Sequence, residues 1–274
     1  MDTDAGMGRL RRIAHNVGWL VGGKAVGGLL SLVYLALVAR ALGIEGFGTF
    51  ALIFTYGQAV INIVQFQSWQ LVIRMGAIHL AANRVDRLAR LIRFSALIDL
   101  VSAFASAAIG YAAAGMAGHI LGWSDDETHL AGLFGLSLIV VLRATPTGIL
   151  RLLDRFDLLT TAELITPAVR FVGAAIVAFW MPGIGAFLAV WVLSDLLTSI
   201  ILWQLAARAL AERKIVPSGG WPRGVMGENP GLWRFAWTSN AGASINLVWQ
   251  QLGTLAIGAT AGAGSAGGRK RFRL

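Results

Sequence analysis

The chain has 274 residues, of which 56% are hydrophobic and only 14% charged, against roughly 25% charged in soluble domains. That composition excludes an ordinary soluble domain and indicates a membrane protein of α-helices. Lys and Arg number 23 against 14 Asp and Glu, an excess that suits nucleic acid, anionic lipid or an anionic substrate until position decides. Cysteine is absent, which excludes a disulfide framework and thiolate metal sites. The four histidines, His15, His79, His119 and His129, have no metal-ligand spacing, so neither metal nor cofactor is expected.

Residues 1–16 precede the first apolar run and carry Arg9, Arg11 and Arg12. With Ala39-Arg40-Ala41 ahead they resemble a signal peptide and its cleavage site. The run from Val17 to Leu42 is much longer than the roughly 7 to 15 apolar residues of a signal sequence, however, and it contains Lys24. A retained first helix is the better reading. A membrane-spanning helix needs about 20 mostly apolar residues, and seven segments qualify: Val17–Leu42, Phe47–Ile73, Phe94–Leu121, His129–Leu150, Leu159–Met181, Gly183–Ala206 and Phe235–Ala263. Pro146 and Pro167 lie inside two of them, which membrane helices tolerate where neighbours satisfy the freed carbonyls.

The loops predict an orientation. Arg9, Arg11 and Arg12; Arg74, Arg84, Arg87, Arg90 and Arg93; Arg151 and Arg155; and Arg208, Arg213, Lys214, Arg223 and Arg234 all fall on one side. The other side has Arg40 with Glu45, the acidic stretch Ser124–Thr128 and the uncharged Met181–Gly185. By the positive-inside rule the N-terminus is cytoplasmic. The basic excess is then explained by topology and anionic headgroups, without nucleic acid. Val85, Leu88, Ala89 and Ile92 form an apolar stripe among arginines, predicting an interfacial approach to the third span.

A weak repeat divides the chain. Trp19 leads to Gly43–Gly48 and Trp237 leads to Gly262–Gly267, offsets of 218 and 219 residues. Six spans between the copies give both the same orientation, the spacing expected of six-helix halves. The expected organisation is a cytoplasmic N-terminus (1–16), a six-helix lobe (17–215), a cytoplasmic linker (216–234), a seventh helix opening a second lobe (235–263) and a basic tail (264–274). After Gly268 the sequence reads Arg-Lys-Arg-Phe-Arg-Leu where the first copy continues apolar. On the outer face such a tail opposes the positive-inside tendency, and the expectation is a truncated or frame-shifted product.

No catalytic constellation is present: no cysteine nucleophile, G-x-S-x-G, H-E-x-x-H or phosphate-binding loop. Asp125-Asp126-Glu127 could hold a divalent metal in an enzyme, but adjacent acids in a loop are usually solvated. The informative residues are polar groups within spans, where burial is costly. Gln58, Asn62 and Gln65 are expected to form one stripe on the second span. Lys24 and Arg143 lie about two turns from the cytoplasmic side, where snorkelling is the alternative. Glu163 and Arg170 share a face, with Arg170 near mid-span. Asp99, near the start of the third span, and Asp195, deep in the sixth, could carry a coupling ion or pair with a cation structurally. Asn240, Ser244 and Gln251 repeat the polar theme. A cavity with Lys24, Arg143 and Arg170 among amides suits an anionic, hydroxyl-rich cargo.

Leu37–Ile53, with Arg40, Gly43, Glu45, Gly46 and Gly48, and Gly148–Ile165, with Asp154-Arg155-Phe156-Asp157, resemble the polysaccharide-biosynthesis flippases of the multidrug/oligosaccharidyl-lipid/polysaccharide exporter superfamily. The resemblance covers the chain to about Ala263. It implies two lobes related by an axis along the membrane normal, alternating access, and translocation of an undecaprenyl-pyrophosphate-linked oligosaccharide across a bacterial inner membrane, alongside polysaccharide assembly proteins. It also implies pyrophosphate binding by cavity cations, for which Lys24, Arg143 and Arg170 are the positional candidates. A cation-coupled drug extruder of the same superfamily using Asp99 or Asp195, and a non-transporting membrane fragment or assembly partner, are the alternatives. The glycine-rich stretch itself is expected to be the outer hairpin between the first two spans, with Arg40 and Glu45 pairing across it or meeting headgroups.

Overall fold

The computed structural model describes residues 3–215 and 222–240, and they are helical with no strand among them. The all-α membrane bundle expected from composition is the fold. Among the described residues five stretches are long and apolar enough to cross a bilayer: Ala25–Ala81, Val85–Ala112, Asp125–Leu152, Phe156–Trp180 and Ile184–Glu212. The first has 57 residues, far more than one crossing uses.

It is a hairpin. Helix α1 (Thr3–Val64) is helical throughout except at Gly43, with φ 69° and ψ −176°. Tyr34 and Phe54 lie on either side of this residue, yet both rings meet Trp191, at centroid distances of 6.1 and 3.8 Å. Along an unbroken helix that sequence separation would span about 30 Å, so the chain folds back at Gly43. The positive φ costs glycine little and other residues more. Of the three glycines expected to make the reversal, only Gly43 has this conformation; Gly46 and Gly48 belong to the helix that follows. Arg40 and Glu45 are exposed beside the turn, and no ion pair joins them among the described residues.

Six crossings result, with turns alternating between two ends. Thr49 donates to Glu127 at 2.8 Å beside the Gly43 turn, and Arg155 donates to Glu212 at 2.6 Å at the opposite, basic end. The basic-end turns share one closure. Asn83, Asp154 and Lys214 adopt φ of 55°, 59° and 57°, and the next amide in each case reaches back to His79, Leu150 or Leu210 at 2.9, 2.8 and 2.9 Å. This is the Schellman arrangement, usually made with glycine.

Three expected boundaries change. The third crossing, α3 (Val85–Ala112), begins before Phe94, and Ala114–Leu121 is a separate helix, α4. The Val85, Leu88, Ala89 and Ile92 stripe does not face headgroups: Leu88 and Ile92 are buried against Ile149, Leu150, Leu202 and Ala206, with Val85 packed on that cluster. The acidic stretch expected as a loop is the first turn of α5 (Asp125–Ser137). Ser124 accepts from the Glu127 amide while the Glu127 carboxylate accepts from the Ser124 amide, a reciprocal cap that also places three acids at the positive end of the helix dipole.

Two spans expected to be continuous are broken. The second stops at Val64 and resumes as α2 (Ser68–Ala81). The fourth passes from α5 through a 3₁₀ turn at Leu138–Val140 and resumes as α6 (Ala144–Leu152). Pro146 lies in the first turn of α6, where its missing N–H would have no intrahelical partner anyway. The bundle is completed by α7 (Phe156–Trp180), α8 (Ile184–Glu212), the short α9 (Val225–Glu228) and helical residues 232–240. Small residues set the closest crossings: a Cβ on Gly110 would lie 2.9 Å from the Gly135 Cα, so α3 and α5 meet backbone to backbone.

Candidate functional site

The two helix breaks face one another. Gln65 Nε2 donates to the Val141 carbonyl at 2.6 Å, Trp203 Nε1 to the Leu142 carbonyl at 2.9 Å, and the Leu142 amide to Ser199 Oγ at 3.3 Å. Side chains of neighbouring helices thus satisfy backbone groups that the break frees, the condition for irregular chain at membrane depth. From these breaks α2 and α6 run parallel toward the basic end. Ser68 lies 3.2 Å from Thr145, a Cβ on Gly148 would sit 2.9 Å from the Trp69 Cα, and one on Gly76 would lie 2.7 Å from Leu152.

Asp99 lies where the two half-helices begin. It occupies the middle of α3, not the start of the third span as expected, and is 6% exposed. Its carboxylate accepts from Ser68 Oγ and from the Thr145 amide at 2.7 Å. Two helix N-termini, each with partial positive charge, therefore converge on one buried anion. Sequence spacing missed this because Asp99, Ser68 and Thr145 come from three different spans; Ser68 and Pro146 were the available signals of helix starts.

The segment after α8 lies along α2. His79 Nε2 and Asn229 Oδ1 are 2.9 Å apart, and Arg90 donates to both oxygens of Glu228, at 3.1 and 2.5 Å. The Arg90 guanidinium holds the Glu228 carboxyl below its ordinary range. Farther along, the Arg74 guanidinium lies 4.3 Å from the Phe235 ring centroid, Trp237 meets Phe66 edge to face, and the Gln67 amide donates to Asn240 Oδ1 at 3.3 Å. Asn240 is thus placed at the break in the second span.

The predicted cations meet on the other side of the fourth-span break. Arg143, the residue before α6, donates to Asp195 Oδ1 at 2.7 Å, and Arg170 donates to the same oxygen at 2.8 Å. Arg170 Nε also donates to Ser194 Oγ at 2.9 Å, and its guanidinium lies 3.2 Å from the Trp191 ring centroid. Trp191 donates in turn to the Tyr34 hydroxyl. A cavity of about 370 Å³ adjoins this cluster, lined by Gly27 and Ser31 of α1, Arg143, and Thr160, Glu163, Thr166 and Arg170 of α7. Three polar types converge there: guanidinium, carboxylate and hydroxyl. A larger cavity of about 740 Å³, between α3 and residues 222–237, is almost wholly apolar, with Ser102 its one hydroxyl. Convergent polar groups make the smaller cavity the candidate site.

The expected polar stripe on the second span is not brought there. Gln65 has left the helix to fill the opposite break, Asn62 is exposed, Gln58 is half-buried, and neither lines the cavity. The Lys24 backbone lies one turn before Gly27 in α1, while its side chain falls outside the described residues. So do Ser244, Gln251, the second glycine-rich copy, the seventh helix beyond residue 240 and the tail. Thr160 and Thr166 were missed, although they fall on the Glu163 and Arg170 face at helical spacing. Ser194 and Trp191 were missed because they become relevant only once α7 and α8 pack.

Among the described residues, six helical crossings, two of them interrupted, with a charged cluster beside a cavity of polar lining, define a polytopic membrane protein. The chain belongs to the family of polysaccharide biosynthesis proteins, whose match extends over residues 13–271. It is 29% identical over 263 residues to the inner membrane protein YghQ of Escherichia coli (strain K12), covering 95% of this chain and 74% of that protein. No solved structure matches.

Proposed function

We propose that the chain translocates lipid-linked oligosaccharide, with an undecaprenyl-pyrophosphate carrier as the anionic part of the cargo, and that its N-terminus is cytoplasmic. The observation that carries this reading is the pair Arg143 and Arg170, both held on Asp195 beside a cavity with hydroxyl groups. Two guanidiniums share the Asp195 carboxylate, and although the Glu163 carboxylate also lines the cavity, no ion pair joins it to either arginine among the described residues, so guanidinium N–H groups remain for a phosphate oxygen. Ser31 and Thr160 donate to the Gly27 and Phe156 carbonyls and Thr166 bonds to Thr198, which leaves hydroxyl lone pairs on the cavity wall to accept from sugar hydroxyls. Moving such a charge through hydrocarbon unaided costs tens of kcal/mol by Born estimates, so a protein path is needed. With the cytoplasm negative, outward anion movement gains about 2.3 kcal/mol per charge per 100 mV.

The acids that a cation-coupled drug extruder would use are already engaged. Asp195 pairs with two arginines and Asp99 accepts from the Ser68 hydroxyl and the Thr145 amide, which favours anionic cargo. No side chain needs a catalytic role in this reading. The organisation is a six-helix lobe followed by the start of a second. In cells that depend on this gene for a surface or secreted polysaccharide, Arg170→Ala at normal protein level abolishes export; normal export would refute the cation site. The cysteine-free chain also permits single-cysteine labelling: Glu45→Cys reacts with an impermeant maleimide from outside, and Arg213→Cys only after permeabilisation. The reverse pattern would overturn the orientation.

A further inference from the structure

We propose that Asp99 is a positioning residue for the anion site: it fixes Arg143 by holding the first turn of α6, and it makes α2 and α6 respond together when the site fills. This rests on the anion-site reading above. Arg143 stands at the position before α6 with its side chain lining the cavity, while Thr145, two residues on, gives its amide to Asp99 at 2.7 Å. The start of α6 is therefore gripped from two directions, by Asp195 through the Arg143 side chain and by Asp99 through the backbone.

The carboxylate is the acceptor for both groups. An ionised carboxylate accepts at both oxygens, whereas an amide presents one acceptor and one donor group. With Leu at position 99 the Ser68 hydroxyl and the Thr145 amide both lose this acceptor, whereas Asn can keep the amide with its oxygen and donate its NH2 to Ser68 Oγ as the Ser68 hydroxyl turns to Thr145 Oγ1, 3.2 Å away. The same carboxylate ties α2 to α6, and α2 supports residues 225–240 through His79, Arg74 and the Gln67 amide. Displacement of Arg143 by an anion thus bears on the start of α6, on Asp99, and through Ser68 on the helix along which the next segment lies.

The test uses the purified full chain in lipid nanodiscs and inorganic pyrophosphate as probe. Arg143→Gln and Arg170→Gln weaken pyrophosphate binding by about tenfold or more, as loss of a charged hydrogen bond requires. Asp99→Leu weakens it roughly tenfold in the wild-type background and within about twofold in the Arg143→Gln background, because independent sites would add and these two do not. Equal losses in both backgrounds, or none in the first, overturn the positioning role while leaving the anion site intact. Wild-type affinity in Arg143→Gln and Arg170→Gln overturns the anion site and the proposal with it. Hydrogen exchange on the unmodified chain tests the tie should Asp99→Leu not fold: pyrophosphate changes protection at residues 68–72 together with 144–148, and a response confined to 144–148 refutes the coupling.

Discussion

Removing the Asp195 carboxylate probes the energetics at the centre of the bundle. Arg170 and Asp195 side chains are only 16% and 14% exposed, and Arg143 28%, so the cluster is screened far less than a surface pair. A charge pair at about 4 Å is worth about 4 kcal/mol at an effective dielectric constant of about 20, and Asp195 makes two. Part of that offsets the desolvation of three ions, so it is not all net stability. Loss of the anion alone, however, leaves two guanidiniums facing each other without compensation, and breaking a buried pair this way costs about 3 to 5 kcal/mol. Asp195→Leu should lose roughly that much, and Asp195→Asn less, because its carbonyl oxygen still accepts one arginine. Replacing all three residues, Arg143→Met, Arg170→Met and Asp195→Leu, should restore much of the loss, since apolar groups of similar volume can replace a buried ionic cluster at little cost. Unfolding in mixed micelles at graded denaturant, compared with wild type, reads these differences. An Asp195→Leu protein as stable as wild type, or a triple variant no better than Asp195→Leu, would show that the arginines are solvated well enough to need no counterion.

Other outcomes follow from single contacts. Gly43→Ala places a Cβ at φ 69° and ψ −176°, a region essentially confined to glycine, and should cost about 1 to 3 kcal/mol, measurable in the same unfolding assay, whereas Gly48→Ala, with open space around it, should cost nothing and raise helix propensity. Gly135→Leu drives a side chain into the α3 backbone at Gly110 and should lower folded yield, with a cost of about 1 to 3 kcal/mol or more. Ser124→Ala removes one half of the α5 cap and should cost about 1 kcal/mol. Glu228 has its carboxyl held below the ordinary range by Arg90, so its contribution is present above the unfolded-state value and disappears as pH falls through the lowered folded one. Hydrogen-exchange protection of residues 225–240, corrected for intrinsic rate, should therefore decline in acid in wild type and be nearly insensitive to pH there in Arg90→Ala.

What was legible in the sequence follows from where each signal originates. Apolar length located the six crossings among the described residues, because a bilayer imposes one thickness on every span, while the start of α3 and the separate α4 departed from the apolar limits. The reversal at Gly43 was visible as a glycine-rich interruption, but which glycine turns depends on one backbone angle that composition does not encode. The α5 start was written plainly as Ser124-Asp-Asp-Glu127, and reading those acids as loop charge overlooked the capping pattern. Arg170 and Glu163 were found because they stand on one helix at a fixed period. Asp195 was singled out too, yet its service to both arginines required the packing of α8 against α7 and the fourth-span break.

The breaks themselves are the larger lesson about membrane sequences. Hydropathy reports that a stretch can sit in hydrocarbon, and the Phe47–Ile73 and His129–Leu150 stretches satisfy it whether or not their helices are continuous. What decides continuity is whether other spans can supply partners for the freed backbone, here Gln65, Ser199, Trp203 and Asp99. Those partners are themselves polar residues inside spans, the class that expense in the bilayer makes informative. An intramembrane acid without a basic residue at helical spacing should therefore be weighed as a cap for an interrupted neighbour as well as an ion site. A serine, threonine or proline at mid-depth in another span then marks where that neighbour restarts. For Asp99 this criterion selects Ser68, Thr145 and Pro146, which stand at the starts of α2 and α6.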